Sequence, residues 1–359
     1  MDQTKEEKYK PYSLSKNSKK EYLNRELNAL FRHHSENCLL FKKSMDALGY
    51  CKETDYNYWD LPFLPVRLFK LYDLKSIEDE DVIKTLTSSG TSGQSVSKIY
   101  LDKTASANQI KTLSKIVTSF TGGKRQPMLI IDTKSVLKNR ASFSARGAGI
   151  LGFSVFGKDH TYCLDEDMKI DLLAIQDFIK RHNGEKIFIF GFTFMIYQHF
   201  YKSLAKENIT LDLSNATLIH GGGWKKMINE AINSSLFRRK LKEVCEIENV
   251  YDYYGMVEQT GTIYMECEEG HLHASDFSDI IIRRESDFSE ASVGEKGIVQ
   301  VISVLPKSYP GQSLLTEDEG VLLGEDNCIC GRKGKYFKIL GRIKSAELRG
   351  CSDTYGAKF

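Results

Sequence analysis

The chain has 359 residues, of which 41% are hydrophobic and 27% are charged, and this balance is typical of a folded globular protein. Lysine and arginine number 50 against 48 aspartate and glutamate, so the formal charge of +2 argues against wholesale attraction to nucleic acid or to an anionic membrane surface. The lysine-rich start lacks the apolar stretch of a secretory signal, and no later run has the length of a membrane-spanning helix. We therefore expect a cytoplasmic protein whose 8 cysteines are free thiols, metal ligands or catalysts rather than disulfides.

The first clear helix and strand pair lies between residues 104 and 132. The segment TASANQIKTLSKIVTSF has apolar residues at helical spacing, which predicts an amphipathic helix with Thr104 as its N-cap. The residues expected on the buried face of this helix are Ile110, Leu113, Val117 and Phe120. The run PMLIID that follows is short and apolar, so it is predicted to be a buried strand.

The same order of helix and strand occurs twice more, in DLLAIQDFIKRHNGEKIFIFGF and in FMIYQHFYKSLAKENITLDLSNATLIHGGG. This alternation predicts a layered α/β sheet with mostly parallel strands. After about residue 250 the pattern changes to short strands separated by turns, such as DIIIRR and GIVQVISVL. We therefore expect a polar and helical lead-in over residues 1–60, an α/β core over 61–250, a smaller β-rich subdomain over 251–343 and a tail over 344–359.

The loop TLTSSGTSGQSVSKIY, residues 85–100, is the segment that carries most information about function. Its hydroxyl side chains and backbone N–H groups suit a phosphate group, although the lysine is not where a Walker A motif requires it. A solvated linker rich in serine, threonine and glycine is the alternative. The residues expected to hold phosphate are Ser88, Ser89, Gly90, Thr91, Ser92 and Gly93.

The order of residues in SSGTSGQ resembles the phosphate loop of the adenylate-forming superfamily, to which acyl-CoA synthetases, peptide-synthetase adenylation domains and luciferases belong. Five further motifs follow in the order of that superfamily: HGGGW, YYGMVEQTG, GEKGIVQVISVL, LLTEDEG and ILGRIKSAELRG. The third and fourth are similar to the phenylacetate-CoA ligase branch. The resemblance implies an α/β fold, the large N-terminal domain of an adenylate-forming enzyme with layered α/β sheets and a small β-rich subdomain. Because the sequence ends soon after the hinge motif, we expect the mobile C-terminal lid domain to be absent.

The resemblance also implies ATP and Mg²⁺ as cofactors and gives roles to individual residues. Glu258 is the expected magnesium ligand, and Val257 stands where the superfamily normally has a hydroxyl residue. The expected nucleotide contacts outside the phosphate loop are Gly221, Gly222, Gly223, Tyr254, Gly255, Asp318 and Arg342. The candidates for the acid-binding pocket are Gly191, Phe192 and Thr193, although aromatic residues in this segment could equally be ordinary core.

The combination of LPVRLF, SSGTSGQ, ARGAGILG, YGMVEQTG and ELRGCSDT resembles one branch, the acyl-protein synthetases of the LuxE type. The resemblance implies that the enzyme activates a fatty acid as acyl-AMP and then takes the acyl group onto Cys351 for delivery to an acyl-accepting protein such as an acyl reductase. A thiol is a good nucleophile whose thioester stays reactive for onward transfer, and Lys344 and Arg349 could favour the thiolate. The alternative is that Cys351 is a bystander.

A cation near the phosphate loop would assist the adenylation step. Lys98 is the candidate, although a lysine that leaves a loop is usually just solvated, and Arg146 could serve instead. The sequence does not choose between the two.

Two thiol and imidazole clusters predict a possible structural zinc site. MECEEGHLH offers Cys267 with His273, or with His271 as the alternative, and NCICGR offers Cys328 and Cys330. A similar pairing occurs in relatives of phenylacetate-CoA ligase. Ordinary reduced cysteines are the alternative.

Two other functions stay open at this point. An acyl-CoA ligase fits the general resemblance but not the missing lid, and a non-catalytic scaffold for nucleotide or a partner protein would fit Val257 and the missing lid lysine. We expect no nucleic-acid partner and no membrane span, and the sequence leaves the identity of the acid and a possible oligomer undetermined.

Overall fold

The structure is a computed structural model, and it describes residues 10–88, 95–137, 145–224 and 230–343. These residues form two compact units, each of which is described by itself. The first unit contains residues 10–88, 95–116 and 255–343, and the second contains residues 117–137, 145–224 and 230–254. The predicted tail over residues 344–359 lies outside the described residues.

The second unit is built on a parallel sheet. Its strands are β4 (Gln126–Thr133), β5 (Gly157–Leu164), β6 (Ile187–Phe192), β7 (Ala216–Gly221) and β8 (Asn249–Tyr254). They lie in the order β8-β7-β6-β4-β5, and each neighbouring pair in this order is parallel. Every residue of β4 and β6 is buried, as expected for central strands covered on both faces.

Helices connect these strands, as the alternation in the sequence predicts. They are α5 (Ala145–Ser154), α6 (Leu172–Arg181), α7 (Thr193–Met195, then a π-helical turn at Ile196–Tyr201, then Lys202–Lys206) and α8 (Ser234–Cys245). Side-chain caps fix two of the starts, because Asp171 accepts a hydrogen bond from the backbone of Ala174 at 3.0 Å and Asn233 accepts one from Leu236 at 2.8 Å. Apolar side chains from α6, α7 and α8 pack with the strands into one core.

The first unit begins with helices. They are α1 (Lys16–Asn37), α2 (Leu39–Ala47), the single turn α3 (Leu68–Leu71) and α4 (Lys103–Thr121), whose last turn continues into the second unit. An antiparallel hairpin, β2 (Lys84–Thr87) and β3 (Lys98–Leu101), precedes α4. The described part of the chain has no helix long and apolar enough to span a membrane.

The rest of the first unit is an antiparallel sheet of short and long strands. Its members are β9 (Tyr264–Glu266), β10 (Leu272–His273), β11 (Ser278–Arg283), β12 (Lys296–Ser303), β13 (Ser313–Glu325) and β14 (Lys335–Arg342). They lie in the order β11-β12-β13-β14-β10-β9, and the short strand β1 (Leu64–Pro65) pairs in parallel with β13.

The predicted start and buried face of α4 are partly wrong. Its first turn is capped by Asp102, whose carboxylate accepts a hydrogen bond from the backbone of Ala105 at 2.6 Å, and not by Thr104. Ile110, predicted to be buried, is 56% exposed. Val117 is buried as predicted, and the other buried residues of the helix include Ala105, Gln109, Thr112 and Ile116.

Candidate functional site

Most of the predicted phosphate loop lies outside the described residues. These residues are Ser89, Gly90, Thr91, Ser92 and Gly93, and the predicted nucleophile Cys351 also lies outside the described ranges. Ser88 is described, and its hydroxyl accepts a hydrogen bond from the backbone of Ser97 at 2.9 Å while its own N–H donates to Ser97 at 3.0 Å. The two ends of the loop are therefore fastened to each other at the end of the β2–β3 hairpin.

The two cations that the sequence offers for the adenylation step both have carboxylate partners. Lys98 lies on β3, with its Nζ 3.5 Å from Asp73, and both side chains are at least half exposed. Such a surface pair is worth little energy, so Lys98 can leave it at small cost. The Nε of Arg146 lies 2.9 Å from the buried carboxylate of Asp132, and its Nη1 lies 3.5 Å from the sulfur of Met195. The role of Lys98 stays a prediction.

Glu258 lies in a 3₁₀ turn, Val257–Gln259, and is only 3% exposed. The turn is fixed by the side-chain amide of Gln259, which donates to the carbonyl oxygens of Val301 at 3.1 Å and Gly311 at 2.9 Å. The pKa of Tyr309 is raised, mainly by burial and secondly by the carboxyl group of Glu258 nearby.

Glycines let the backbone pack closely around this turn. A Cβ at Gly311 would lie 2.8 Å from the carbonyl oxygen of Glu258 and 2.4 Å from the ring of Tyr309. Gly261 has a φ of +88°, and a Cβ there would lie 2.7 Å from the Cα of Gln109. Thr260, which follows the turn, donates its hydroxyl to the carbonyl oxygen of Val257 at 2.7 Å.

The structure brings Asp318 and Arg342 together. They are direct partners in the register of β13 and β14, and the Nε of Arg342 lies 3.7 Å from the carboxylate of Asp318. Arg342 also donates to Glu317 at 2.6 Å, which fixes the guanidinium from a second side. Glu317 was not predicted, because within LLTEDEG the resemblance gives a role to Asp318 alone.

The predicted glycine segment and the acid-pocket candidates lie at the carboxyl ends of β6 and β7 in the second unit, where parallel sheets bind ligands. Tyr254 is the last residue of β8, and Gly255 directly follows it in the chain. Gly222 has a φ of +80°, and a Cβ there would lie 3.1 Å from the ring of Phe192. A Cβ at Gly221 would lie 2.4 Å from the ring of Tyr253. Both positions therefore require glycine, whereas a Cβ at Gly223 would meet nothing within 4 Å.

Thr193 begins α7, and its hydroxyl contacts two groups at the end of β7. It lies 2.9 Å from the Nδ1 of His220 and 3.3 Å from the carbonyl oxygen of Gly221. Asp252 of β8 lies 3.5 Å from the same nitrogen of His220. The pKa of His220 is lowered to about 3, mainly by burial and secondly by the positive charge of Arg238, so the imidazole is neutral. The sequence did not single out His220 or Asp252, since the only available signal was a histidine directly before three glycines.

The predicted metal ligands converge in the first unit. One donor atom from each of Cys267, His273, Cys328 and Cys330 lies within 4.8 Å of all the others. Cys267 and Cys328 each begin a tight turn, which is closed by a hydrogen bond from the glycine three residues later at 3.0 Å. His271 contacts the sulfur of Cys328 at 3.4 Å but does not belong to the group of four.

Two of the distances in this group are close to those of a zinc site. Tetrahedral zinc with bonds of about 2.3 Å to sulfur and 2.0 Å to nitrogen separates two sulfurs by about 3.8 Å and a sulfur from a nitrogen by about 3.5 Å. The sulfurs of Cys267 and Cys328 are 3.9 Å apart, and the sulfur of Cys330 is 3.4 Å from the Nε2 of His273. The donor set of three thiols and one imidazole is also a common one for structural zinc.

Comparison with known families explains why these motifs occur together. A family model described as acyl-protein synthetase, LuxE, matches residues 7–359. The chain belongs to this family. The prediction of an acyl-protein synthetase, a ligase of the adenylate-forming type, is thereby confirmed.

One curated relative of this acyl-protein synthetase is the long-chain-fatty-acid–luciferin-component ligase of Vibrio harveyi. The two are 24% identical over 356 residues, which cover 95% of this chain and 89% of the relative.

Solved structures of 2-hydroxyisobutyryl-CoA ligase are similar in fold. The postadenylation state with 2-HIB-AMP has a TM-score of 0.69 over 92% of this acyl-protein synthetase and 69% of that chain, and the open conformation with 2-HIB-AMP and CoA has a TM-score of 0.67 over 93% and 77%. Because the identity is 12%, the likeness shows the fold alone, and it confirms the predicted adenylate-forming fold.

Proposed function

We propose that this acyl-protein synthetase activates a long-chain fatty acid with ATP and then carries the acyl group on Cys351. In the first step a carboxylate oxygen attacks the α-phosphorus of ATP, which gives acyl-AMP and releases pyrophosphate. In the second step the thiolate of Cys351 attacks the acyl carbonyl carbon, which gives a thioester and releases AMP. The observation that carries the proposal is the family match over nearly the whole chain, and the ligase named for the Vibrio harveyi relative supports a long-chain acid.

The placement of Glu258 supports its role in the first step. A carboxylate that is 3% exposed is costly unless a cation or hydrogen bonds compensate its charge, and a divalent cation would provide such compensation. Mg²⁺ bound there would neutralise charge on the triphosphate. Glu258 itself holds its position because the amide of Gln259 fixes the turn on Val301 and Gly311.

The remaining predicted residues bind and orient in this proposal. Asp318 accepts hydrogen bonds from the ribose hydroxyls, and Arg342, held by Glu317, lies beside it. Gly221, Gly222 and Gly223 let the nucleotide approach the backbone closely, and Tyr254 and Gly255 follow at the end of β8. Gly191, Phe192 and Thr193 form part of the acid pocket, and the loop from Ser88 to Gly93 holds phosphate with help from Lys98.

We further propose that the acyl thioester is passed on to an acyl-accepting partner such as an acyl reductase. The step requires a reduced thiol at Cys351, which places the protein in a reducing compartment such as the cytoplasm. The group of Cys267, His273, Cys328 and Cys330 binds structural zinc, because all four positions of the metal are then filled by protein and none remains open for substrate.

The proposed function is tested by intact-protein mass spectrometry after incubation with ATP, Mg²⁺ and a panel of fatty acids. Wild type should gain the mass of one acyl group, the adduct should be lost with hydroxylamine, and Cys351→Ala should gain nothing. Cys51→Ala, which removes an exposed thiol elsewhere, is the matched control and should behave as wild type. AMP release without an adduct on any variant would instead indicate a diffusible acceptor such as coenzyme A.

A further inference from the structure

A row of residues crosses the parallel sheet of the second unit close to the carboxyl ends of its strands. In the register of the sheet, Gly191 of β6 pairs with His220 of β7, and His220 pairs with Asp252 of β8. His220 is 4% exposed, and its ring packs against Phe237 with centroids 4.9 Å apart. The imidazole therefore lies beneath the strand ends, on the side that faces the core.

The contacts of the ring determine which nitrogen carries the proton. Nδ1 lies 2.9 Å from the hydroxyl of Thr193 and 3.5 Å from the carboxylate of Asp252. The hydroxyl of Thr193 also lies 3.3 Å from the carbonyl oxygen of Gly221, to which only a donor can bond. The consistent arrangement has Nδ1–H donating to Thr193 and the hydroxyl donating to Gly221, with the nearby carboxylate favouring the proton on Nδ1. The buried Nε2 then has no hydrogen-bond partner among the described residues.

This chain of hydrogen bonds ends on the segment that the proposed function assigns to the nucleotide. Gly221 and Gly222 have no side chains with which to hold their own conformation, and Gly222 has a positive φ. The carbonyl of Gly221 belongs to the same peptide plane as the N–H of Gly222, so the bond from Thr193 fixes the direction of both groups.

We propose that His220 is a positioning residue for adenylation, which holds the hydroxyl of Thr193 on the carbonyl oxygen of Gly221 and so fixes Gly221–Gly223 for the nucleotide. Asp252 fixes the imidazole in turn, and its own carboxylate is anchored by the N–H of Tyr253 at 2.8 Å. The inference rests on the proposed function, because it assigns a role within the same site. It also joins the acid pocket to the nucleotide segment, since Thr193 contributes to both.

The role predicts a separation of kinetic constants. Loss of one buried hydrogen bond costs roughly a factor of 5 to 150 in the equilibrium that it supports. The KM for ATP should therefore rise at least fivefold when the donor at Nδ1 is removed, because the glycine segment must be ordered by the nucleotide itself. The KM for the fatty acid should change by less than twofold, because Phe192 and the rest of the pocket remain.

The test uses the full-length protein and ATP–pyrophosphate exchange with a saturating fatty acid. Asparagine places its amide N–H where Nδ1 lies in histidine, whereas glutamine places its amide near Nε2. His220→Asn should therefore stay within threefold of wild type, and His220→Gln and Thr193→Val should raise the KM for ATP. His199→Asn is the matched control, because His199 is a histidine of the same unit that bonds the carbonyl oxygen of Met168 instead.

A binding measurement supplies a second readout that does not depend on turnover. The chain has 2 tryptophans, so Trp59→Phe leaves Trp224, directly after the glycine segment, as the sole tryptophan. In that background AMP should change the fluorescence of Trp224, and the change gives the Kd for AMP. This Kd should rise at least fivefold in His220→Gln and stay within threefold of wild type in His220→Asn. Melting temperatures identify a variant that merely fails to fold.

Each outcome has one meaning. Equal effects of His220→Asn and His220→Gln on ATP, or an equal rise in both KM values, would overturn the positioning role. If wild type itself shows no exchange with any fatty acid while AMP binding still depends on the donor at Nδ1, the proposed function fails and the positioning role stands. If neither wild-type exchange nor AMP binding is found, both are wrong.

Discussion

Replacement of one cysteine in the group of four tests whether zinc fastens the β-rich part of the first unit. Cys328→Ser keeps the volume of the side chain but replaces a thiolate with a weak ligand, and Cys328 is the residue whose sulfur lies 3.9 Å from that of Cys267. Wild type should contain one zinc per chain, and the variant should contain far less than one. Cys51→Ser, at an exposed cysteine outside the group, should keep its zinc.

The size of the expected effect follows from linkage. A site that is occupied at about 1,000 times its Kd stabilises the folded state by about 4 kcal/mol. In a unit of 150 to 250 residues, each kcal/mol shifts the melting temperature by about 2–4 °C. Chelation of wild type should therefore lower the melting temperature by roughly 8–16 °C, and Cys328→Ser should melt at about the temperature of the chelated protein whether or not a chelator is present.

The assay combines elemental analysis of the purified protein with thermal denaturation in the presence and absence of a chelator. Metal-free wild type that regains its melting temperature with added Zn²⁺ would support the geometric argument. The argument would be refuted if purified wild type contained no zinc, melted at the same temperature as both variants and did not respond to added Zn²⁺. The four residues would then be three reduced thiols and an ordinary buried histidine.

Two further predictions concern buried ionisable groups. Glu258→Gln should lower ATP–pyrophosphate exchange by roughly a hundredfold, because it removes the charge that would hold Mg²⁺. The variant should not have a lower melting temperature, because the substitution also removes a buried charge. Full exchange in this variant would exclude the assigned role. Burial, and next the charge of His33, lower the pKa of His34 from 6.5 to about 3. Between pH 6.5 and pH 3 the unfolded chain therefore binds more protons than the folded protein. The contribution of the neutral His34 to stability is complete above pH 6.5, and the unfolding free energy falls by about 1.4 kcal/mol for each pH unit below it. His34→Gln, whose amide does not titrate, should show a flatter decline of the unfolding free energy between pH 6.5 and 4 in chemical denaturation, and parallel curves for the two proteins would contradict the assignment.

Local pattern correctly predicted three pairs of helix and strand. The order of helix and strand before β4, β6 and β7 was correct because each element is encoded by its own run of residues, through the period of its apolar positions. The four residues that converge in the first unit, Cys267, His273, Cys328 and Cys330, were also named from the sequence, since cysteine and histidine at short spacing are uncommon without a reason. Their convergence depends on β10 pairing with both β9 and β14.

Helix α4 shows where pattern alone fails. Its apolar residues have helical spacing, yet Ile110 is exposed while Gln109 is buried beside Gly261, where the absence of a Cβ makes room for it. The buried face of a helix is chosen by the elements that pack on it, and these are distant in sequence. The prediction of Thr104 as the N-cap was a smaller error of the same kind. Aspartate and threonine are both acceptable N-cap residues, so the sequence did not distinguish Asp102 from Thr104.

The sequence by itself therefore determined the family, the alternation of helix and strand, and the residue types available for chemistry. Only the tertiary structure decided which of them meet. Thr193, His220 and Asp252 lie 27 and 32 residues apart along the chain, and Asp318 meets Arg342 across two strands. The physical reason is that propensity and periodicity act between residues that are neighbours in the chain, whereas the register of a sheet is set by the packing of the whole unit.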